Sequence, residues 1–148
     1  MISVHIMSED AIRGQNLMDV FVISITSPGQ EHPKIEGSNV HQFHFHDVRE
    51  SYECSDGRTI MPMNESIADQ IAELALKNRD CDRWIIHCEM GISRSPGVAI
   101  GLARHIELRP GIKRLKSMYQ AYNKHVALLV ERAVAKKIDE IDKELRGV

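Results

Sequence analysis

The sequence predicts an α/β fold: a mostly parallel central sheet of four to five strands flanked by helices. Three observations predict it. Val20-Phe21-Val22-Ile23-Ser24-Ile25 is an almost unbroken run of β-branched and aromatic side chains, the pattern of a strand covered on both faces. Runs of this kind alternate along the chain with segments of helical periodicity, which is how parallel sheets are built. The composition is that of a globular protein, with 43% hydrophobic and 27% charged residues in a chain of 148, enough for one core. No internal repeat, low-complexity tract or like-charge block divides it, so residues 1–148 are expected to form a single domain.

Taken in order, Ile2 to Met7 is a short apolar run and reads as the first strand. Ser8-Glu9-Asp10 supplies an N-cap and first-turn acids to a short helix that Gly14 ends. The Val20–Ile25 strand follows and stops at Pro28-Gly29, and Glu31 to Ser38 is a polar loop. Val40 to His46 reads as a third strand ending at Asp47. Residues 48 to 63 show no clear period, and connections of that length are usually functional or mobile. Asn64 then caps an amphipathic helix with Ile67, Ile71, Leu74 and Ala75 on one face. After a turn at Asn78 to Asp82, Arg83-Trp84-Ile85-Ile86-His87-Cys88 is a short buried strand. A loop from Glu89 to Ser93 leads into a helix expected over about Arg94 to Leu108. Two more helices are expected, from Lys113 to about Tyr122 and from about Lys124 to Arg146. The last carries Val126, Leu129, Val130, Ala133, Val134, Ile138, Ile141 and Leu145 as one stripe.

Charge and composition exclude several function classes. Lys and Arg total 19 against 21 Asp and Glu, a net charge of −2, so no basic excess exists for nucleic acid or an anionic membrane surface. No apolar run approaches membrane-spanning length, and Met1 to Ile6 lacks the basic and long apolar parts of a secretory leader. Cys54, Cys81 and Cys88 form no CxxC pair, and three is a poor disulfide framework. A reducing, cytoplasmic setting is the expectation.

The chemistry gathers around Cys88. His87-Cys88-Glu89-Met90-Gly91-Ile92-Ser93-Arg94-Ser95 places a cysteine, five residues, an arginine and a hydroxyl between a strand and a helix. The strand delivers Cys88 to the C-terminal edge of the sheet, where open α/β folds place their sites. Glu89, Met90, Gly91, Ile92, Ser93 and Arg94 must turn into the helix, so their N–H groups converge into an anion-binding nest reinforced by the helix dipole. Gly91 permits backbone angles that a side chain resists. Arg94 offers a planar fork to two oxygens of a tetrahedral oxyanion. The same positive surroundings favour the thiolate of Cys88, and Ser95 can donate a hydrogen bond to that sulfur. These parts make a nucleophile aimed at a bound phosphate. The plainer alternative is a buried structural cysteine beside a helix-capping serine. His87 points to the other side of the strand, toward loop backbone.

This segment resembles the HCxxGxxRS signature of the cysteine-dependent protein-tyrosine and dual-specificity phosphatases. It is most similar to the small predicted tyrosine phosphatases of bacteria and bacteriophages, whose loop commonly reads HCxAGISRS; Met90 stands where that branch usually has alanine. The resemblance runs from about Phe43 through Val130 and includes Tyr122-Asn123-Lys124-His125-Val126. It implies a phosphotyrosine phosphatase-like fold, with Cys88 as nucleophile, Arg94 as phosphate clamp and Ser95 as the aid to thiolate departure. It implies hydrolysis of phosphotyrosine, or of phosphoserine and phosphothreonine as well, through a phosphocysteine. Substrates would be phosphorylated proteins or peptides, and no cofactor or metal is required. Asn123 resembles a residue that neighbours the active-site loop in that superfamily; helix capping explains it equally well.

The reaction also needs a proton for the leaving oxygen and then a base for water, and one carboxyl group serves both. Asp47 closes the His44-Phe45-His46 segment, on a rigid element. Asp56 lies 32 residues before Cys88, a spacing similar to that of several eukaryotic dual-specificity enzymes. Position favours Asp47, since 48 to 63 reads as an insertion after the strand. A turn-stabilising aspartate is the bland reading of either. His41, His44 and His46 admit a metal reading, 44 and 46 sharing a strand face, yet thiolate chemistry on phosphate needs no metal. Cys54 or Cys81 could form a reversible disulfide with Cys88, and Arg49 and Arg58 could meet an anionic substrate from the long loop. Two rival functions stand beside hydrolysis: a module that holds phosphorylated partners without turnover, and sulfur transfer or arsenate reduction, which would make Cys54 or Cys81 essential.

Overall fold

In the computed structural model, which describes residues 1–147, the chain forms five strands in one all-parallel sheet with five helices around it. The first strand, β1 (Ile2–Met7), is followed by α1 (Glu9–Ile12), whose Ser8 cap accepts a hydrogen bond from the Ala11 amide at 3.1 Å. Next come β2 (Phe21–Thr26) and β3 (Val40–His44), then a small antiparallel hairpin of β4 (Tyr52–Glu53) and β5 (Thr59–Ile60). Helix α2 (Glu65–Lys77) leads to β6 (Arg83–His87) and α3 (Arg94–Ala103). A two-residue strand β7 (Leu108–Arg109), α4 (Ile112–Met118) and α5 (Lys124–Leu145) complete it. The order across the sheet is β3-β2-β6-β1-β7.

The predicted α/β sheet is therefore present, and its departures from expectation are local. The third strand ends at His44 rather than His46: the Phe45 amide still reaches Thr26 O at 3.1 Å, but the His46 amide turns away to Met61 O at 2.7 Å. The segment 48–63 holds the β4–β5 hairpin, too short and too exposed to leave a pattern. The helix expected to run to Leu108 stops at Ala103, and the following residues supply β7 through pairing of Ile2 with Leu108 and Ser3 with Arg109. The helix expected over 113–122 occupies only Ile112–Met118. Leu145 is 81% exposed and takes no part in the stripe that Val126, Val130, Ala133 and Val134 bury.

The sheet's two faces differ. The larger core packs β-strand residues Val4, Phe21, Ile23, Ile25, Trp84 and Ile86 against the helices from α2 onward. The smaller one gathers Ile12, Leu17, Val20, Val22 and Ile85 beneath α1 and the β2–β3 connection. Every residue of β2 is buried, as a strand covered on both sides requires. Helices α3 and α5 touch through glycine: a Cβ on Gly97 would lie 2.8 Å from Asn123 O, and one on Gly101 would lie 2.7 Å from Ala127 O. Among the described residues no helix is long and apolar enough to cross a membrane.

Candidate active site

Because all five strands run the same way, their C-terminal ends share one edge, and β6 ends there at His87. Cys88 follows, 2% exposed, with its amide donating to Met7 O at 3.3 Å. Its Sγ sits 3.0 Å from Ser95 Oγ, the second residue of α3. The five residues between Cys88 and α3 are pinned to the β1–α1 turn. The Glu9 amide donates to Glu89 O at 3.0 Å, and Gly91, at φ +70°, lies so close to Met7 and Ser8 that a Cβ would sit 3.0 Å from their backbone. Glycine is required there on both counts.

No amide from Glu89 to Arg94 donates to a protein acceptor among the described residues. A run of unmatched amides entering a helix N-terminus is the arrangement that receives an anion. Arg94 is 5% exposed, and its Nη1 donates to Phe45 O at 2.8 Å and to Ser27 Oγ at 3.1 Å. Its Nη2 lies 3.9 Å from Glu89 Oε2. The guanidinium is thus held by Ser27 and Phe45, the residues just past the ends of β2 and β3. Ser27, Asp47, Cys88, Met90, Ile92 and Arg94 line the cleft above it. A groove elsewhere, bounded by β1, β7 and α4, carries His5, Arg109 and Arg114 but no thiol.

The two candidate acids part company. Asp47 borders the cleft, and its Oδ1 accepts hydrogen bonds from Ser93 Oγ at 2.7 Å and Asn123 Nδ2 at 2.9 Å. Asp56 lies in the β4–β5 turn, where its carboxylate accepts from the Arg58 amide at 3.1 Å and Arg58 Nε at 2.6 Å. That is the turn-stabilising role, and it also occupies Arg58. Asn123 does two things: its Oδ1 caps α5 by accepting from the Val126 amide at 3.0 Å, while its Nδ2 holds Asp47. Its own amide donates to Ser93 O at 3.0 Å, tying α5 to the loop.

The remaining sequence signals disperse. All three cysteines are free thiols. Cys81 lies two residues before β6, its Sγ 3.4 Å from Arg83 O, whereas Cys88 follows the strand's last residue. The five-residue strand between them spans roughly 15 Å, well beyond disulfide reach. Cys54 is on the hairpin. His46 Nδ1 accepts from the Met61 amide at 2.9 Å, His41 Nε2 meets Asn39 Oδ1 at 2.7 Å, and His44 faces His32. No three His, Cys, Asp or Glu side chains converge on a metal-sized site among the described residues.

Sequence reasoning missed Ser27, His32 and the Ser24 partner of His87. The His87 side chain lies on the face opposite Cys88, as expected, and its Nε2 also meets Ser24 Oγ of β2. The loop backbone it meets is Cys88 O, at 3.4 Å. Burial, opposed by that backbone bond and aided by the neighbouring His32 and Arg94 charges, lowers the His87 pKa to about 4. Alternation along β2, which places Val22, Ser24 and Thr26 on one face, is the signal that could have found Ser24. Comparison with protein-family models, with curated proteins and with solved structures finds no match.

Proposed function

We propose that the protein is a cytoplasmic phosphatase that hydrolyses phosphotyrosine, on phosphorylated proteins or peptides, through a phosphocysteine. A dual-specificity enzyme that also accepts phosphoserine and phosphothreonine is the near variant. The observation that carries the reading is the thiol of Cys88 in one cleft with a run of six unmatched amides and a guanidinium that Ser27 and Phe45 O hold in place. Such fixed dipoles stabilise the charge of a transferring phosphoryl group without reorganising.

The chemistry runs in two displacements. The Cys88 sulfur forms a bond to phosphorus as the ester P–O bond breaks, and Asp47 gives its proton to the departing oxygen. Both hydrogen bonds to Asp47 fall on Oδ1, which leaves Oδ2 as the oxygen to carry that proton. Asp47 then takes a proton from water as the water attacks phosphocysteine, and the S–P bond breaks with Ser95 Oγ donating to the sulfur. Orthophosphate leaves. A thiol in this role has to stay reduced, which suits the cytoplasm.

The clasp of Ser93 and Asn123 on Asp47 also favours a second reading, a module that holds phosphorylated partners without turnover. Hydrolysis of p-nitrophenyl phosphate separates the two. The expected result is turnover blocked by vanadate and lowered about a thousandfold or more in Cys88→Ser. Vanadate or phosphopeptide binding with no turnover would establish the binding module instead. Full activity after replacement of both Cys54 and Cys81 would dispose of sulfur transfer and arsenate reduction.

A further inference from the structure

On the face of the sheet opposite Cys88, polar side chains from three strands and one loop form a continuous chain. Thr26 Oγ1 lies 3.1 Å from His44 Nδ1, and His44 Nε2 lies 3.1 Å from His32 Nε2. The His32 ring then reaches Ser24 Oγ through Nδ1 at 2.7 Å, Ser24 Oγ reaches His87 Nε2, and His87 Nδ1 meets Cys88 O at 3.4 Å. His32 comes from the β2–β3 connection and is half-buried, while His44 is exposed.

One end of the chain determines its protons. A carbonyl oxygen only accepts, so His87 carries its hydrogen on Nδ1 and accepts at Nε2. Ser24 gives its single proton to that nitrogen and therefore accepts from His32 Nδ1–H. His32 Nε2 is left bare and accepts, from His44 Nε2 at 3.1 Å or from the Thr26 hydroxyl at 3.3 Å. From Cys88 O to His32, every link pairs one donor with one acceptor. Burial, with the neighbouring His44 charge, lowers the His32 pKa to about 4, and His87 titrates there too, so both rings are neutral at pH 7 and the order persists.

We propose that Ser24 and His32 are positioning residues for the phosphate-binding loop, acting through His87 to hold the Cys88 carbonyl on the far side of the sheet. The physical reason lies in the peptide bond. In a trans peptide the carbonyl of Cys88 and the amide of Glu89 point in opposite directions. Anchoring the carbonyl to His87 therefore turns the Glu89 N–H toward the cleft and keeps carbonyl lone pairs away from the sulfur and the bound anion. The assignment rests on the phosphoryl-transfer reading of that cleft.

The test combines imidazole 15N NMR with kinetics on the full chain. Wild-type His87 is expected as the Nδ1–H tautomer. Ser24→Ala and His32→Ala are each expected to lose that single tautomer. Each should lower kcat with p-nitrophenyl phosphate on the order of tenfold, and weaken vanadate inhibition comparably, with KM little changed. Ser24→Thr, which keeps the hydroxyl, should restore both. If Ser24→Ala does not fold, His32→Ala, on a half-buried loop, carries the same test. An active wild type whose His87 is the Nε2–H tautomer, or whose folded variants keep full kcat, overturns the positioning role alone. A wild type that neither turns over substrate nor binds vanadate overturns the phosphatase reading and this one together.

Discussion

At the scale of single residues, Asn123 and Asp47 separate stability from chemistry. Asn123 caps α5 with one end of its amide and holds Asp47 with the other. Serine caps a helix as well as asparagine does, but its short hydroxyl cannot also reach Asp47 as the asparagine amide does. Asn123→Ser is therefore expected to keep the urea midpoint close to wild type while lowering kcat. Asn123→Ala should lose activity and also about 1 kcal/mol of stability. For Asp47→Asn, loss of the acid should slow an alkyl phosphate by about a hundredfold or more and p-nitrophenyl phosphate far less, because a phenolate with a good leaving group needs little protonation. Equal, mild effects on both substrates would take the acid's role away from Asp47. Much of this site is legible in the chain itself. Cys88, Gly91, Arg94 and Ser95 stand together because a strand-to-loop-to-helix turn is local. The partners that hold Arg94, Ser27 and Phe45 O, are more than 40 residues distant in sequence and carry no motif.

Among the elements, the contact of α3 with α5 is the most exacting. Gly101 faces Ala127 O and the Cβ of Val130, both rigid, at 2.7 and 2.8 Å from where its own Cβ would be. Gly101→Ala must push the helices apart, at about 1–3 kcal/mol, measured by urea unfolding. Because α3 carries Arg94 and Ser95 and α5 starts at Asn123, the same change should also raise KM. A variant with wild-type stability would show that the helices yield without strain. Elements with a strong period were readable: α2, and α5 as far as Ile141, follow their apolar stripes. β7 and the β4–β5 hairpin were not, because two-residue strands are created by the partner they pair with rather than by their own side chains.

For the whole molecule, acid stability depends on the buried histidine chain. His87 is fully buried, and its pKa of about 4 lies below the ordinary 6.5. Between those values the unfolded chain takes up a proton that the native protein does not. Its contribution is therefore complete above about pH 6.5 and is lost as the pH falls to about 4, on the order of 3 kcal/mol. Urea unfolding at pH 7 and pH 4.5 should reveal that decline, and His87→Gln should flatten it. An equal slope in the variant would place the acid sensitivity elsewhere.

What the amino-acid order determined by itself is whatever neighbours along the chain decide: a buried parallel strand, a capped helix, a glycine turn carrying a thiol into a helix N-terminus. What only the tertiary structure decided is which distant groups meet there. Asp47 rather than Asp56 borders the cleft because the β4–β5 turn folds Asp56 onto Arg58. His32, a loop residue with no local signal, meets His44 and Ser24 because sheet pairing brings β2, β3 and β6 side by side. Local periodicity records which face a side chain takes, whereas the partner across that face is chosen by strand order, which no short stretch of sequence contains.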